Sequence, residues 1–186
     1  MKTLIRCTWA ALTIAVALTA CKKETPETND EEVITTVMVK LTPNGGGNPL
    51  TYSYEDLDGP GGNNPNIQSI LLDSNKTYAM KLYVLNKSTN PADTISNEIM
   101  TEADSHRFYY EPSAGSNITV DSLDRDLNGI SLGLNSRWKT GSAATGSLKI
   151  TLRHYPGTPP NKLEVDPVNS SKSSTDIEVD FPITIQ

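Results

Sequence analysis

The sequence predicts an all-β fold, an antiparallel immunoglobulin-like β-sandwich with one short helix. Two stretches, 33–41 and 176–186, alternate apolar and polar residues at the period of two that half-buried strands require. Between them, short runs of β-forming residues are separated by clusters of Gly, Pro, Asn and Asp that favour turns. One stretch, 93–105, carries apolar residues at helical spacing instead. Many short strands joined by turns are typical of two sheets packed face to face.

The first expected elements are two pairs of strands. Alternation predicts strands at 33–41 and 50–55, and the glycine-rich turn between them predicts a hairpin. Two further strands are expected at 67–72 and 77–85, paired around a turn at 73–75. The second strand of this pair would present one apolar face, made of Tyr78, Met80, Leu82 and Val84.

A short helix is expected near the middle of the chain. Asp93 or Thr94 would begin it as the N-cap residue. Its apolar face would consist of Ile95, Ile99 and Ala103, and the helix would end at about residue 105. The alternative is another strand, because Ile95 and Ile99 also fit a period of two.

The second half of the chain reads as strands. Five are expected, at 107–111, 118–121, 130–134, 148–155 and 176–186. Because Pro182 has no N–H to donate, the last strand should place it at a sheet edge or at a bulge. The loop at 156–175 is unusually long for a compact domain, which indicates either mobility or a functional role.

The beginning of the chain looks like the signal peptide of a bacterial lipoprotein. Lys2 and Arg6 precede an apolar run that is too short to stay in a membrane as a spanning helix. The run ends in L-T-A-C, and a small residue, Ala20, precedes Cys21 as a lipoprotein signal peptidase requires. We therefore expect lipidation of Cys21. An ordinary secretory signal that ends beside a stray cysteine is the alternative.

Three segments follow from this prediction: a signal peptide at 1–20, a disordered tether at 21–32 and the β-sandwich domain at 33–186. The tether segment is polar and charged and offers nothing apolar to bury. The lipid would anchor the domain to the outer membrane of the cell envelope, on either its periplasmic or its surface face.

The charge and the cysteine count limit the classes of partner. The net charge is −6, and removal of Lys2 and Arg6 would make the chain more acidic, which argues against nucleic acid and against docking on anionic lipid. Of the two cysteines, Cys7 would leave with the signal peptide and Cys21 would carry lipid. We therefore expect no disulfide, and stability has to come from the core or from a bound metal.

Two acidic loops are candidate calcium sites. Asp124, Asp126 and Asn128 form a D-x-D-x-N-G sequence, which places oxygen ligands on one side of a tight loop. Asp56 and Asp58 lie in a second loop of the same composition. Calcium is the cofactor that the chemistry of these loops suggests. Ordinary turns are the alternative for both loops, because Asp, Asn and Gly are also the usual turn residues.

A zinc site is a second metal hypothesis. Glu98, Glu102 and His106 would line one face if the helix extended that far, and His154 is the remaining histidine. The alternative for His154 is a hydrogen-bonded core residue, because it continues the apolar face of its predicted strand. Its role as a ligand would require the fold to bring it close to His106.

Common catalytic motifs do not occur in the sequence: there is no G-x-S-x-G, no H-E-x-x-H and no phosphate-binding glycine loop before a helix. We therefore expect a protein that is not an enzyme.

Several stretches together resemble a family of small bacterial lipoproteins. They include E-V-I-T-T at 32–36, D-x-D-G-x-G-G at 56–62 and H-R-F-Y-Y at 106–110, and the resemblance covers nearly all of the chain after the signal peptide. Members of this family are often labelled "type 1 periplasmic binding fold superfamily" proteins. The resemblance implies an envelope lipoprotein that works beside an outer-membrane transport receptor, and it implies no catalytic residue.

Three functional hypotheses remain at this point. The first is a lipid-anchored, non-enzymatic binding protein that is an accessory to an outer-membrane transport or assembly system. The acidic loops and the 156–175 loop would form its contact surface, because loops on a rigid sandwich commonly carry recognition. The alternatives are a protein that binds or transfers a divalent metal and a structural protein of the envelope.

Overall fold

The computed structural model describes residues 33–186, which form two β-sheets and one short helix. The strands are β1 Thr36–Pro43, β2 Leu50–Glu55, β3 Asn66–Ile67, β4 Ile70–Leu72, β5 Thr77–Leu85, β6 His106–Pro112, β7 Ile118–Asp121, β8 Asn135–Thr140, β9 Ala144–His154 and β10 Ser174–Ile185, and helix α1 is Ile95–Thr101. The predicted signal peptide, the predicted lipidation site Cys21 and the predicted tether lie outside the described residues.

The two sheets enclose one core. Sheet A has the order β3-β2-β1-β5-β8-β7, and sheet B has the order β4-β10-β9-β6. All neighbouring strands are antiparallel except β4 and β10, which pair in parallel. The prediction of an all-β fold with one short helix is confirmed, but sheet B is mixed rather than purely antiparallel. The likeness to an immunoglobulin domain stays a prediction.

The core consists of the inward faces of both sheets. β5 buries the four residues predicted for its inner face, and β10 buries Val179, Phe181, Ile183 and Ile185 as its alternation predicts. Trp138 of β8 is the largest fully buried side chain among the described residues, and Phe108 of β6 is also at most 1% exposed. Alternation therefore identified the buried face of these strands correctly.

The predicted pairing of 67–72 with 77–85 is wrong. The first of these stretches splits into β3 and β4, and β4 pairs with β10 in sheet B while β5 lies in sheet A between β1 and β8. The turn that follows β4 crosses between the sheets, and the Ser74 N–H donates to the carbonyl of Gln186 at 2.7 Å. Periodicity predicts which face of a strand is buried, but not which strand lies beside it.

The prediction of a strand at 130–134 is also wrong. Leu132 and Leu134 are buried, but they lie in a segment without regular structure. The strand in this region, β8, begins at Asn135, just after the predicted strand ends, and buries Ser136, Trp138 and Thr140. Small polar residues on this inner face concealed its alternation. The Trp138 indole N–H donates to the Ser136 hydroxyl at 3.0 Å, so the polar atoms of this face satisfy one another.

Helix α1 is shorter than predicted. It buries Ile95 and Ile99, and Thr94 occupies the N-cap position without a side-chain capping bond. The helix ends at Thr101, and His106 already begins β6. The chain therefore changes from helix to strand before the predicted third turn.

The long loop, residues 156–173, which we call the strap, packs on the outer face of sheet B. Arg107 donates to the carbonyls of Leu163 and Glu164 at 3.2 and 2.9 Å. Arg153 donates to the carbonyls of Ser170 and Ser173.

After the strap, β10 has a register shift between Thr175 and Ile177, whereas Pro182 lies just before the segment that pairs with β4. β10 lies inside sheet B, between β4 and β9, but at Pro182 only the β9 side is paired, so the expected edge position holds locally.

Candidate functional site

The strap meets the loop at 124–134 at one end of the sandwich, through a buried ion pair. The Lys162 ammonium lies 2.8 Å from the Asp126 carboxylate, and each side chain is 1% exposed. The same ammonium donates to the carbonyls of Ala103 and His106 at 2.6 and 2.9 Å. A lysine ammonium has three protons, so the three contacts satisfy it completely.

The other oxygen of Asp126 shapes the loop. It accepts the N–H groups of Asn128 and Ile130 at 2.8 and 2.9 Å. Burial raises the pKa of Asp126, but the Lys162 ammonium and these N–H donors outweigh burial and hold the pKa below its usual range. Burial lowers the pKa of Lys162, which the Asp126 charge only partly offsets. The pair therefore links the strap to the loop, because loss of either partner would leave the other charge buried without compensation.

A second polar anchor lies two residues along the strap. Glu164 accepts the N–H and the hydroxyl of Ser131, both at 2.8 Å, and lies 3.4 Å from Arg125. Burial acts to raise the pKa of Glu164, but the donors of Ser131 and the charges of Arg107 and Arg125 lower it overall. Glu164 is thus held as a carboxylate against the loop.

Beside these anchors, the strap exposes its apolar side chains. Leu163 is 51% exposed and Val165 is 84% exposed, whereas Lys162 is buried. In the neighbouring loop, Leu127 directly follows the buried Asp126 and is fully exposed. An ordinary surface segment does the reverse, burying its apolar residues and exposing its charges. We call Leu127, Leu163 and Val165, with the segments 125–131 and 162–166 that carry them, the loop-end surface.

The two histidines of the zinc hypothesis lie side by side. His106 and His154 pair directly across β6 and β9, with ring centroids 4.9 Å apart and planes inclined by 16°. The His106 Nδ1 lies 3.1 Å from the Glu102 carbonyl. Burial lowers the pKa of His106 to about 4, against the opposing effect of this hydrogen bond, so the ring is neutral at physiological pH.

The helical stripe that was expected to complete this zinc site is wrong, because the helix ends before His106. Glu102 is exposed and contacts His106 through its carbonyl only. Among residues 33–186, no group of three or more His, Cys, Asp or Glu side chains is arranged to hold a metal ion.

The carboxylates of the two predicted calcium loops serve as turn acceptors. Asp124 accepts the N–H groups of Gly133 and Asn135 and the Asn135 amide, at 2.7 to 3.0 Å. Asp58 accepts both the backbone and the side-chain N–H of Asn63. Two more predicted ligands lie in the same turns, where Asp56 accepts the Gly59 N–H and Asn128 donates its own N–H to Asp126. These contacts favour the turn alternative, and calcium binding stays a prediction.

Lys162 and Glu164 are the site residues that the sequence analysis missed. Their signal was the segment K-L-E-V-D at 162–166, which alternates charged and apolar residues inside a stretch too rich in Pro and Ser to form a strand. In the structure, the first and last charged residues of this segment, Lys162 and Asp166, are buried, whereas Leu163, Glu164 and Val165 are exposed.

In comparisons with known proteins, no family model, no curated protein and no solved structure matches this chain. The only helix among residues 33–186 falls short of the length and hydropathy needed to cross a membrane.

Proposed function

We propose that this chain is a lipid-anchored, non-enzymatic binding protein of the cell envelope, attached to the outer membrane through Cys21. It docks a protein partner of an outer-membrane transport or assembly system through its loop-end surface. The observation that carries the proposal is the arrangement of the strap, in which the charged residues Lys162 and Asp166 are buried while the apolar residues Leu163 and Val165 are exposed.

Such a surface suits recognition because its apolar groups are held in place before binding. Anchoring by Lys162 and Glu164 removes much of the entropy that a free loop would lose on docking. Exposed side chains such as Leu127 and Val165 gain from desolvation when a partner covers them. Loops fixed on a rigid sandwich are common recognition elements in proteins.

The position of the surface fits a partner at the membrane. In sheet A, Thr36 at the start of β1 pairs with Leu85 at the end of β5. That end also carries α1, the 124–134 loop and the strap. The chain passes from β5 through α1 to the start of β6, and the strap begins at the end of β9, which pairs with the start of β6. A short tether before residue 33 would hold this end of the domain toward the lipid.

The two other functional hypotheses have less support from the geometry. The stacked pair of His106 and His154 supplies two nitrogen ligands and no carboxylate, whereas zinc sites generally use three or four protein ligands. A purely structural envelope protein would not require apolar side chains fixed in an exposed position. The metal hypothesis has its own test in the Discussion.

Site-specific photo-crosslinking in living cells tests the proposal. A photoreactive residue replaces Val165 in the full chain, expressed in a Gram-negative host, and the matched control places the same residue at Leu71, an exposed leucine of β4. We expect an adduct with one outer-membrane protein from position 165 only, and its loss in the Leu127→Asp variant. Equal adducts from both positions, or none from either, would contradict the proposal.

Cell fractionation tests the anchor separately. The full chain should sediment with the outer membrane, and the Cys21→Ala variant should be released from it. Membrane association of Cys21→Ala equal to that of the parent chain would show that Cys21 is not the attachment point.

A further inference from the structure

A basic groove lies on the outer face of sheet A, the sheet that does not carry the strap. It has a volume of about 440 Å³, and its lining includes Lys40, Thr42, Ala79, Lys81, Tyr83 and Arg137. Its shape follows from the strand register. Ala79 lies between Thr42 and Arg137 on the neighbouring strands, and its methyl group leaves a depression that the longer side chains surround.

Two lysines lie directly opposite one another beside this depression. Lys40 of β1 and Lys81 of β5 are register partners, and like charges in that position destabilise a sheet. Within residues 33–186, neither ammonium forms an ion pair, whereas five other lysines pair with a carboxylate: Lys87, Lys139, Lys149, Lys162 and Lys172. In a chain with a net charge of −6, such an uncompensated pair is an unusual local concentration of positive charge.

A third cation completes the rim. The Arg137 Nε donates to Asp121 at 2.6 Å, and Lys139 shares the same carboxylate at 2.9 Å. The hydrogen bond to Asp121 orients the Arg137 guanidinium, which makes no other hydrogen bond within the part of the chain that the structure describes. The Asp121 carboxylate can neutralise only one of these two cations. A net positive charge therefore extends from Lys40 on β1 to Arg137 and Lys139 on β8.

The remaining lining is polar or aromatic. The Lys81 ammonium lies 5.0 Å from the centre of the Tyr83 ring, so an aromatic face adjoins the cationic group. Thr42, Asn44 and Ser122 place hydroxyl and amide groups at the rim. The groove therefore combines convergent positive charge with hydrogen-bonding groups and one ring, which suits a small polar molecule that carries a concentrated negative charge.

We propose that this groove binds a phosphate monoester, with Lys40, Lys81 and Arg137 around the phosphate and Tyr83 against the rest of the ligand. Three cations match a group of nearly two negative charges better than a single carboxylate. Lysine binds phosphate as a point charge, and the guanidinium of arginine can bridge two phosphate oxygens. The phosphate would also relieve the repulsion between the two lysines. The site is separate from the loop-end surface, so either proposal can fail alone.

Isothermal titration calorimetry of the full chain in detergent micelles tests the proposal. The probes are glucose 6-phosphate for a soluble source of the group and dihexanoyl phosphatidic acid for a lipid headgroup, with glucose and succinate as controls. We expect saturable binding of at least one phosphate probe, weakening as salt is added. Binding of glucose 6-phosphate would assign the soluble source, and binding of phosphatidic acid alone would assign the headgroup.

Matched variants locate the binding. Lys40→Gln should weaken the phosphate probe roughly tenfold or more, as expected for the loss of a charged contact. Lys76→Gln removes an exposed lysine that forms no ion pair within residues 33–186 and lies outside the groove, and it should change binding less than about twofold. Thermal unfolding verifies that both variants fold. The proposal is overturned if neither phosphate probe binds, if succinate binds as tightly, or if both variants behave alike.

Discussion

The Lys162 ammonium contacts the Asp126 carboxylate at 2.8 Å in the interior of the protein, 36 positions apart in the sequence. This contact explains how about twenty residues without regular structure can pack as a fixed part of the domain. It also places the exposed Leu163 beside a buried residue and so determines which side chains the strap displays.

Replacement of Lys162 by methionine should strongly destabilise the protein. The methionine fills similar space but leaves the Asp126 charge buried without its partner, which commonly costs about 3–5 kcal/mol. The thermal midpoint should fall by roughly 10 °C, since each kcal/mol moves it by about 2–4 °C in a domain of this size. Limited proteolysis should then cut the strap before the rest of the domain.

Lys172→Met is the matched control for this experiment. Its ammonium also pairs with a strap carboxylate, that of Asp166, but it is 31% exposed. Solvent reaches the lysine side of this pair, and Asp166, although only 7% exposed, keeps the N–H of Leu163, so the loss should be clearly smaller than for Lys162→Met. In the double variant Lys162→Met with Asp126→Asn, part of the lost stability should return. Equal effects of the two lysine variants would mean that burial of the Lys162 pair is unimportant.

Gly133→Ala should destabilise the protein more than Gly129→Ala. Both glycines have positive φ, +95° and +77°, so both variants carry the backbone strain of about 1–2 kcal/mol. Only at Gly133 would the new Cβ crowd its surroundings, at 3.0 Å from the Phe108 Cβ and 3.2 Å from its carbonyl oxygen. We expect a further loss of about 1–3 kcal/mol there, measured by denaturant unfolding. Identical losses would show that the Phe108 contact relaxes freely.

The buried His106 should make stability depend on pH below neutrality. Its pKa is about 4 in the folded protein, against 6.5 for an unperturbed histidine. Above pH 6.5 both states are neutral and the stabilisation is complete. Between pH 6.5 and about pH 4, His106 is protonated in the unfolded chain but not in the folded protein. The free energy of unfolding therefore decreases over this range, by about 3 kcal/mol in total.

His106→Asn isolates this contribution. The asparagine amide can still donate to the Glu102 carbonyl but does not titrate. The variant should be less stable at pH 7, because it loses the stacked ring of His154, and its stability should decline less between pH 6.5 and pH 4. A pH profile parallel to that of the parent chain would assign the dependence to other groups.

Lys40→Glu should stabilise the protein. It replaces a like-charge pair with an opposite-charge pair across β1 and β5, worth about 0.2–1 kcal/mol. The control Lys76→Glu has no register partner of this kind and should leave the free energy of unfolding within about 0.5 kcal/mol of the parent value. A loss of stability in Lys40→Glu would indicate that the two lysines do not repel one another in the folded state.

Metal ions should leave the thermal midpoint unchanged. The Asp124 and Asp126 carboxylates already accept backbone N–H groups. We expect superimposable melting curves in chelator, in calcium and in zinc. Calcium at a hundred times its dissociation constant would contribute about 2.7 kcal/mol, which a melt detects easily. A calcium shift that Asp124→Asn abolishes would restore the calcium hypothesis, and a zinc shift that His154→Gln abolishes would restore the zinc hypothesis.

The sequence predicted some elements closely and missed others for identifiable reasons. β2 and β7 have the predicted bounds, and their β-forming residues are flanked by clear turn signals. β8 was missed because Ser136 and Thr140 are polar residues on a buried face, where hydrogen bonds inside the fold replace those to water. The zinc stripe failed because the helix stops at Thr101, a boundary that local spacing does not reveal.

The candidate sites were less predictable than the fold. The sequence analysis selected the 156–175 loop as a contact surface but found no role for Lys162 or Glu164. It also gave no hint that Lys40 and Lys81, far apart in the chain, lie side by side. These contacts join segments that are far apart in the sequence, so they form only when the chain folds.

By itself, the sequence determined the all-β class, the buried face of most strands and the positions of the turns. Each of these depends on the chemistry of adjacent residues, since alternation and turn propensity are local properties. The tertiary structure alone decided that β4 joins β10 in parallel, that Lys162 enters the interior and that two lysines face one another across β1 and β5. Pairing partners and the burial of charge depend on how the whole chain closes around one core, which no short stretch of sequence specifies.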